Sequence, residues 1–278
     1  MPHGDPPVLG LVAGQGQFPA LVAAGAKAQG WGVAAVGFAE NTTSGLAAET
    51  DWFQWLKLGQ LGKLVAFFRT HGVRQVVFAG AINKPRALDI RPDFRAARLL
   101  WNLRSKSDNT LLTAVAGELR REGMEVVSAL RFVPELQTPA GQLTKRGLSR
   151  REQQDLEYGW PIAKAIGRMD IGQCVVVREQ MVVAVEGLEG TNAMLKRAGD
   201  LGGRGGMAIK IFKPGQEEAI DQPSVGLSTV ETMLEAGLTS LVVEAHTSLF
   251  FDRDASVALA NRHGLCLYGR SDGQDGGD

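Results

Sequence analysis

Cysteine and histidine are scarce in this sequence, which has 2 Cys and 4 His among its 278 residues. Cys174 and Cys266 are far apart and each lies in an apolar run, a pattern that predicts two buried thiols in a reducing compartment. The histidines lack the spacing of zinc ligands. The sequence therefore predicts neither a disulfide framework nor a zinc site.

An excess of charge of one sign is also absent, because 30 Lys and Arg balance 30 Asp and Glu. A protein whose main partner is nucleic acid needs a basic excess to neutralise phosphates, so we expect no nucleic-acid partner. No apolar run approaches about 18 residues, the length from which a membrane-spanning helix is read. No basic segment followed by an apolar core, as in a signal peptide, is seen near residue 1. We therefore expect a cytoplasmic protein.

Strand-like and helix-like segments alternate through the first half of the chain. Predicted strands are 8–13, 33–38, 76–79 and 124–133, and predicted helices are 20–29, 61–71, 92–106 and 110–122. Strands joined by helices predict an open parallel sheet with right-handed crossovers. We therefore expect a Rossmann-like α/β domain over residues 1–133.

Pro, Gly, Thr and Gln dominate residues 134–147, which marks this segment as the junction to a second α/β domain, residues 134–270. Ser149 and Glu152 form a capping-box pattern at the start of a helix predicted over 148–167. The polar pair Glu179-Gln180 predicts a hairpin between strands 174–178 and 181–186. Other predicted elements are helices 192–198, 228–235 and 252–263, strands 207–212, 241–245 and 265–268, a mobile loop over 199–206 and a disordered tail over 271–278.

Three polar clusters follow strands or precede helices in the first half. The turn Gly14-Gln15-Gly16 resembles a dinucleotide fingerprint, but Pro19 stands where that fingerprint has its third glycine. The turn therefore predicts either an anion site at a helix N-terminus or a tight turn without a ligand. The other two clusters include Gly80, Asn83 and Lys84, and Asp108 and Asn109, which together with Gly14, Gln15 and Gly16 are candidate ligand-binding residues. Asp108 also suits a helix cap.

The richest polar stretch lies in the second half, between residues 205 and 226. Lys210 and Lys213 suit phosphate, Asp221 suits a divalent cation, and loops hold all three near a strand end. Gln216 and Gly226 lie in the same stretch, and Glu244 ends a later strand. An ordinary loop with solvated charges is the competing interpretation.

A further turn contains Glu186, Glu189, Gly190 and Thr191. Its carboxylates predict either a cation or sugar-hydroxyl site or the solvated start of a helix. Because such strand ends bind ligands in α/β proteins, these residues are candidates for substrate binding.

Four segments carry a resemblance to a known family. They are LGLVAGQGQFP from Leu9, VAVEGLEGTNAML from Val183, KIFKPGQ from Lys210 and DQPSVGLSTVE from Asp221. In this order the chain resembles the UDP-2,3-diacylglucosamine pyrophosphatases of the non-metallophosphoesterase type, enzymes of lipid A biosynthesis. The resemblance spans nearly the whole chain, from Val8 to Gly269.

The resemblance implies two domains, with the active site in the cleft between them. It implies hydrolysis of UDP-2,3-diacylglucosamine to UMP and 2,3-diacylglucosamine 1-phosphate (lipid X), by water attack on the α-phosphorus and with Mg²⁺, or Mn²⁺ or Co²⁺, as cofactor. The essential aspartate of the family falls on Asp221, a candidate catalytic residue and metal ligand that holds Mg²⁺, orients water or does both. Lys210 and Lys213 are candidate catalytic residues that contact phosphate, because lysine donors stabilise the charge of a leaving phosphate. At Asn192 an aspartate is common in the family, so no metal role is carried over to that position.

The implied substrate carries two acyl chains and resides in a bilayer, so we expect transient contact with the cytoplasmic face of the inner membrane. We also expect the protein to form a homodimer. A series of basic residues either meets anionic head groups or forms a solvated helix face: Arg91, Arg95, Arg98, Arg104 and Lys106. Two alternative functions stay open, a non-catalytic sugar-nucleotide-binding regulator and a nicotinamide-dependent oxidoreductase.

Overall fold

The structure is a computed structural model that describes residues 6–82, 92–101, 103 and 108–271, with Asp108 and Asn109 described for their backbone alone. The chain forms two compact units. The first consists of the chain up to Pro134 together with Glu217–Asp221, and the second of Glu135–Gln216 and the chain from Gln222 on. The predicted candidates Asn83 and Lys84 lie outside the described residues, as do Arg91, Arg104, Lys106 and residues 272–278 of the predicted tail.

The first unit contains a five-stranded sheet in the order β3-β2-β1-β4-β5, in which all neighbouring strands are parallel. Its strands are β1 (Val8–Ala13), β2 (Gly32–Phe38), β3 (Trp52–Leu56), β4 (Gln75–Ala79) and β5 (Glu125–Val126). Its helices are α1 (Phe18–Ala28), α2 (Leu61–Thr70), α3 (Phe94–Trp101) and α4 (Asp108–Arg121). This strand order is that of the first five strands of the doubly wound dinucleotide-binding folds.

Helix α2 supplies much of the buried core of the first unit, where Leu64 and Phe68 pack with the strand residues Val36 and Val76. The predicted elements of this half are largely present, with two differences. The strand β3 was missed, and the strand predicted over 124–133 is wrong beyond Val126, because a short 3₁₀ helix occupies Ala129–Arg131.

Glu217–Asp221 joins the first unit although the chain on either side of it belongs to the second. Ile220 is 4% exposed within the core cluster of the first unit. Arg120 of α4 donates two hydrogen bonds to Glu217, one of them 3.2 Å from Nη1 to Oε1. The hydrogen bond from Arg120 lowers the pKa of Glu217, so the two charges stabilise each other. Because of this segment, the two units do not coincide with the two predicted domains, residues 1–133 and 134–270. The limits of those domains stay a prediction.

The second unit is built on a six-stranded mixed sheet in the order β6-β13-β11-β9-β7-β8. Its strands are β6 (Gly141–Gln142), β7 (Cys174–Arg178), β8 (Met181–Val185), β9 (Met207–Lys210), β11 (Ser240–Glu244) and β13 (Cys266–Arg270), with β10 (Ser224–Val225) and β12 (Leu249–Phe250) paired separately. Its helices are α5 (Arg150–Arg168), α6 (Thr191–Gly202), α7 (Leu227–Glu235) and α8 (Arg253–Arg262).

Both faces of this sheet are covered, as the alternation along its strands requires. On β7, Val175 packs in one cluster with α5, whereas Val176 packs in another with α6 and α7. The second unit is therefore a three-layer α/β/α sandwich. The predicted α/β fold with a parallel sheet and a second sheet-containing domain is confirmed.

Local predictions in the second half depend on single residues. Ser149 Oγ accepts from the Glu152 N–H, and Glu152 Oε2 accepts from the Ser149 N–H, so the predicted capping box is present. The predicted hairpin is also confirmed, and its turn residues Glu179 and Gln180 have φ of +50° and +56°.

The loop predicted over 199–206 is wrong at its start, because α6 continues to Gly202. A Cβ on Gly199 would lie 2.6 Å from the carbonyl oxygen of Ala236, so this glycine permits a close approach to the chain after α7. Within the described residues, no helix combines the length and the apolar character that crossing a membrane requires.

Candidate functional site

The carboxyl ends of β1 and β4 in the first unit are joined by backbone contacts. The Gly14 N–H donates to the Ala79 carbonyl and the Gln15 N–H to the Ala81 carbonyl, each at 2.7 Å. A Cβ on Gly14 would lie 2.3 Å from the Gly80 oxygen, and one on Gly80 would lie 2.4 Å from the Gln15 oxygen. These glycines are therefore explained by packing, and two N–H groups of the turn are already bonded within the protein.

The remaining candidates of the first unit are more open or only partly described. Gly16 is exposed with φ +82°, a left-handed conformation that favours glycine, and nothing lies within 4 Å of an added Cβ. Asp108 and Asn109 begin the backbone of α4.

Charged side chains gather at one edge of the second sheet. β8, β9, β11 and β13 all end at this edge, since β7 runs antiparallel to β8 and β9. Lys210, Glu244 and Arg270 are the last residues of their strands, and Glu186 directly follows β8. We call these four residues the charged edge. It brings together three predicted candidates that are far apart in the sequence.

Lys210 lies at the centre of a buried hydrogen-bond chain. It is 5% exposed, and its Nζ donates to Thr191 Oγ1 at 3.0 Å and to the Ser224 carbonyl at 2.7 Å. The Thr191 hydroxyl in turn donates to Glu186 Oε1 at 2.7 Å. Glu186, which is 6% exposed, also accepts from the Gln173 N–H at 3.2 Å. This chain of hydrogen bonds fixes the start of α6 and the start of β10 relative to β9.

Cys174 borders this chain and is fully buried. Burial, together with the nearby Glu186 carboxylate, raises the pKa of its thiol to about 12. Because the thiolate is the nucleophilic form, this shift disfavours reaction of the cysteine at neutral pH. The predicted burial of Cys174 and Cys266 is confirmed.

Glu244, the second buried carboxylate of the charged edge, is 6% exposed. Its Oε1 accepts from Lys164 Nζ of α5 at 2.7 Å, and its Oε2 accepts from the Phe212 N–H at 2.8 Å. Lys164 and Arg270 both lie over the Trp160 ring, with 5.3 and 4.8 Å to its centroid. Glu244 therefore anchors the backbone that leaves β9 toward Lys213.

Lys213 is held by a residue that the sequence did not single out. Its Nζ lies 2.8 Å from Asp170 Oδ1, and both side chains are partly exposed. Its backbone packs beside Gly167 near the end of α5, where an added Cβ would lie 3.6 Å from the Lys213 Cα. The Gln216 N–H donates to the Lys213 carbonyl at 3.2 Å, which closes the turn that follows. Lys213 is thus the more accessible of the two candidate lysines.

The rest of the turn after Glu186 faces solvent. Glu189 is exposed and pairs with Arg197, whose Nε lies 3.2 Å from its Oε2, and this hydrogen bond lowers the pKa of Glu189. Gly190 precedes α6 with φ +83° and ψ 165°, a conformation that is essentially restricted to glycine. Glu186 and Thr191 are therefore joined to Lys210, whereas Glu189 is not.

Asp221 ends the segment that belongs to the first unit, and its side chain is exposed. Among the described residues, no group of three or more His, Cys, Asp or Glu is arranged to hold a metal ion. Mg²⁺ is commonly bound by one or two carboxylates together with substrate phosphates, so a single exposed aspartate fits a cation that arrives with a diphosphate. Gly226 directly precedes α7 and has extended backbone, and an added Cβ there would lie 3.2 Å from the Phe251 Cβ.

Sequence reasoning missed Lys164, Asp170 and Arg270, which contact the candidate residues or lie on the charged edge. Lys164 pairs with a residue 80 positions away and Asp170 with one 43 positions away. No local pattern marks such partners. The last strand, predicted over 265–268, continues to Arg270 in the structure, so the sequence did not mark Arg270 as a strand end.

Two comparisons with known proteins bear on this chain. The family model described as the LpxI N-terminal domain matches residues 8–136, and the model described as the LpxI C-terminal domain matches residues 139–268. The chain is 34% identical over 275 residues to a protein of Caulobacter vibrioides named UDP-2,3-diacylglucosamine pyrophosphatase LpxI, covering 94% of this chain and 96% of that protein. The resemblance found in the four sequence segments is confirmed.

Proposed function

The chain belongs to the LpxI family, and from this membership we propose that it is a UDP-2,3-diacylglucosamine pyrophosphatase of lipid A biosynthesis. The observation that carries the proposal is the 34% identity to a protein of that name over nearly the full length of both chains. We propose UMP and 2,3-diacylglucosamine 1-phosphate as products, formed by attack of water on the α-phosphorus.

Asp221 is the carboxylate that we propose to hold a divalent cation, with Mg²⁺ first and Mn²⁺ or Co²⁺ as substitutes. Its exposure leaves it accessible to a cation and a phosphate from solution. When bound, such a cation would offset the negative charge that grows on the leaving phosphate. Pro223, buried next to Ser224, and the hydrogen bond from Lys210 to the Ser224 carbonyl restrain the motif that follows Asp221.

Lys213 is the lysine best suited to contact phosphate, because it is partly exposed and pairs with a surface carboxylate, Asp170. Exchange of Asp170 for a phosphate oxygen replaces one charge-assisted hydrogen bond by another. The contacts of Lys210 support a positioning role, since it already donates to Thr191 and Ser224; its direct contact with phosphate stays a prediction.

Because the proposed substrate carries two acyl chains, we propose that the protein binds transiently to the cytoplasmic face of the inner membrane. We further propose that it forms a homodimer. Size-exclusion chromatography with light scattering tests the oligomeric state. A monomer at all concentrations would contradict the homodimer without affecting the proposed activity.

The decisive experiment is incubation with UDP-2,3-diacylglucosamine and Mg²⁺, with and without a chelator, followed by measurement of UMP. We expect UMP release that the chelator abolishes. Tight binding without UMP would support the non-catalytic regulator, and a copurified nicotinamide absorbance would support the oxidoreductase.

The matched variants are Asp221→Ala and Glu218→Ala, which remove two exposed carboxylates three positions apart. We expect Asp221→Ala to lower kcat by about a thousandfold or more while substrate still binds, because the cation loses its protein ligand. Glu218→Ala should hydrolyse substrate at the parent rate. An Asp221→Ala variant as active as Glu218→Ala would contradict the role of Asp221.

A further inference from the structure

The rotation of helix α3 about its axis is fixed by its inner face. Ala96 is 6% exposed, and Leu99 packs against the core of the first unit. Arg95 donates to Glu118 on α4 at 2.6 Å and also to Glu122, so it is not available to a lipid head group as one of the predicted basic series. Asp93 accepts from the Ala96 N–H at 2.9 Å and from the Gly62 N–H at 2.7 Å. These contacts leave the opposite face of α3 directed away from the core.

That outer face consists of Phe94, Ala97, Arg98 and Trp101, all exposed. Their spacing of i, i+3, i+4 and i+7 places them on one side of a helix. Phe94 is 86% exposed and Trp101 is 90% exposed, more than any other aromatic side chain of the described residues. By comparison, Trp52 and Trp55 on the edge strand β3 are 40% and 44% exposed. The aromatic pair is therefore unusually open to contact.

Two aromatic rings with a cation between them match the chemistry of a bilayer surface. Trp is enriched at the boundary between head groups and acyl chains, and Arg is attracted to anionic lipid. A second copy of the chain is a poorer occupant, because a two-fold interface centred on this face would bring two Arg98 side chains together. The sequence has no overall positive charge, so attraction to an anionic surface must come from a local feature of this kind.

We propose that the outer face of α3, formed by Phe94, Ala97, Arg98 and Trp101, docks this protein on an anionic lipid bilayer. The proposal rests on the proposed function in one respect, since a diacyl substrate gives the protein a reason to approach a bilayer. It assigns that approach to a defined helix face.

The first test is sedimentation of the full-length protein with vesicles of phosphatidylethanolamine and phosphatidylglycerol, compared with vesicles of phosphatidylcholine alone. We expect Phe94→Ser combined with Trp101→Ser to weaken partition to the anionic vesicles by at least about tenfold, because two apolar side chains are lost from the contact. Arg98→Glu should remove the preference for anionic vesicles. The control is Met181→Ser, which removes a side chain that is 60% exposed on β8 of the second unit and should leave partition unchanged.

Several outcomes would overturn the proposal: a parent protein that binds neither vesicle, a double variant that binds as the parent does, or a control that weakens binding equally. So would a parent dimer that the double variant dissociates, because the face would then serve self-association. Circular dichroism and thermal melting of each variant show whether it is folded.

A second measurement keeps this proposal separate from the proposed function. Hydrolysis of the substrate is compared in detergent micelles and in anionic vesicles. We expect the double variant to match the parent in micelles and to be at least about tenfold slower on vesicles. If the parent releases no UMP in either, the proposed function fails, while sedimentation still decides whether α3 docks on lipid. Equal rates of parent and double variant on vesicles would count against docking by this face.

Discussion

The carboxyl ends of the two sheets are built in different ways. In the first unit, Gly14 and Gly80 bring two loops so close together that main-chain atoms fill the space. In the second unit, Glu186, Lys210 and Glu244 place buried charges at the strand ends. Thr191 links Glu186 to Lys210 through hydrogen bonds, whereas Glu244 pairs with Lys164. Both sheets contain parallel strands. Among the residues that the structure describes, however, buried charges gather at the carboxyl ends of the strands only in the second sheet. Parallel topology provides the place for a site, and the side chains at the strand ends decide whether charge is held there.

The largest expected effect on stability comes from removing the central cation of the charged edge. Lys210→Met should lower the free energy of unfolding by about 3–5 kcal/mol, because Thr191, Ser224 and Glu186 lose a buried donor or the charge that balances them. Urea unfolding measures the change. The control is Lys196→Met, which removes an exposed lysine that pairs with Glu235 at 3.4 Å. Similar losses in the two variants would show that the buried chain contributes little.

The next largest effect is expected at the carboxyl ends of β1 and β4, where the backbone around Gly14 and Gly80 is in close contact. Gly80→Ala should cost about 3 kcal/mol, since it combines a positive φ with a Cβ placed 2.4 Å from a carbonyl oxygen. Gly16→Ala has nearly the same φ but open space, and should cost about 1 kcal/mol. Urea midpoints of both variants separate packing from conformational strain. Equal costs would mean that the close approach of the loops is not tight in solution.

The third prediction concerns the ion pair of the buried Glu152 with Arg146, which lies away from the charged edge, and its effect on stability as the pH changes. Burial raises the pKa of Glu152, but hydrogen bonds from Arg146 and Ser149 outweigh burial and hold the pKa below its ordinary value. A carboxyl whose folded pKa is depressed stabilises the protein above its unfolded pKa, and this contribution is lost as the pH falls through the folded pKa. Urea midpoints measured from neutral to acidic pH should therefore fall less steeply for Glu152→Gln than for the parent. Parallel pH profiles would contradict this assignment.

The smallest effect on stability is expected for the solvent-exposed pair of Glu189 and Arg197 in the turn that follows β8. The pKa of Glu189 is lowered by Arg197, but exposed pairs are screened by water and salt. Arg197→Gln should leave the unfolding midpoint within experimental error. A clear loss of stability would place Glu189 with the buried carboxylates and weaken the distinction between Glu186 and Glu189.

Local signals in the sequence explain what could be predicted. Ser149 and Glu152 mark a helix start because each satisfies the backbone of the other, and Gly190 marks the start of α6 by its special dihedrals. The edge strand β3 was missed because its tryptophans are partly exposed, so its pattern does not alternate as a buried strand would. Candidate residues at the strand ends Lys210 and Glu244 were found because a strand end can be located from its apolar run.

Partners from distant segments could not be predicted. Lys164 meets Glu244, and Asp170 meets Lys213, only after the sheet has formed. The division of the charged side chains into buried and exposed members has the same origin. Glu186 and Glu189 look equivalent in the sequence, and only the position of Thr191 and Lys210 distinguishes them.

The membership of Glu217–Asp221 in the first unit has a consequence for biosynthesis. A nascent chain that has emerged only as far as Pro134 lacks Ile220, a buried residue of its own core, and lacks the carboxylate that pairs with Arg120. Completion of that core during translation must therefore wait until the ribosome has passed Asp221. A truncated gene product ending at the junction would lack a piece of its own interior.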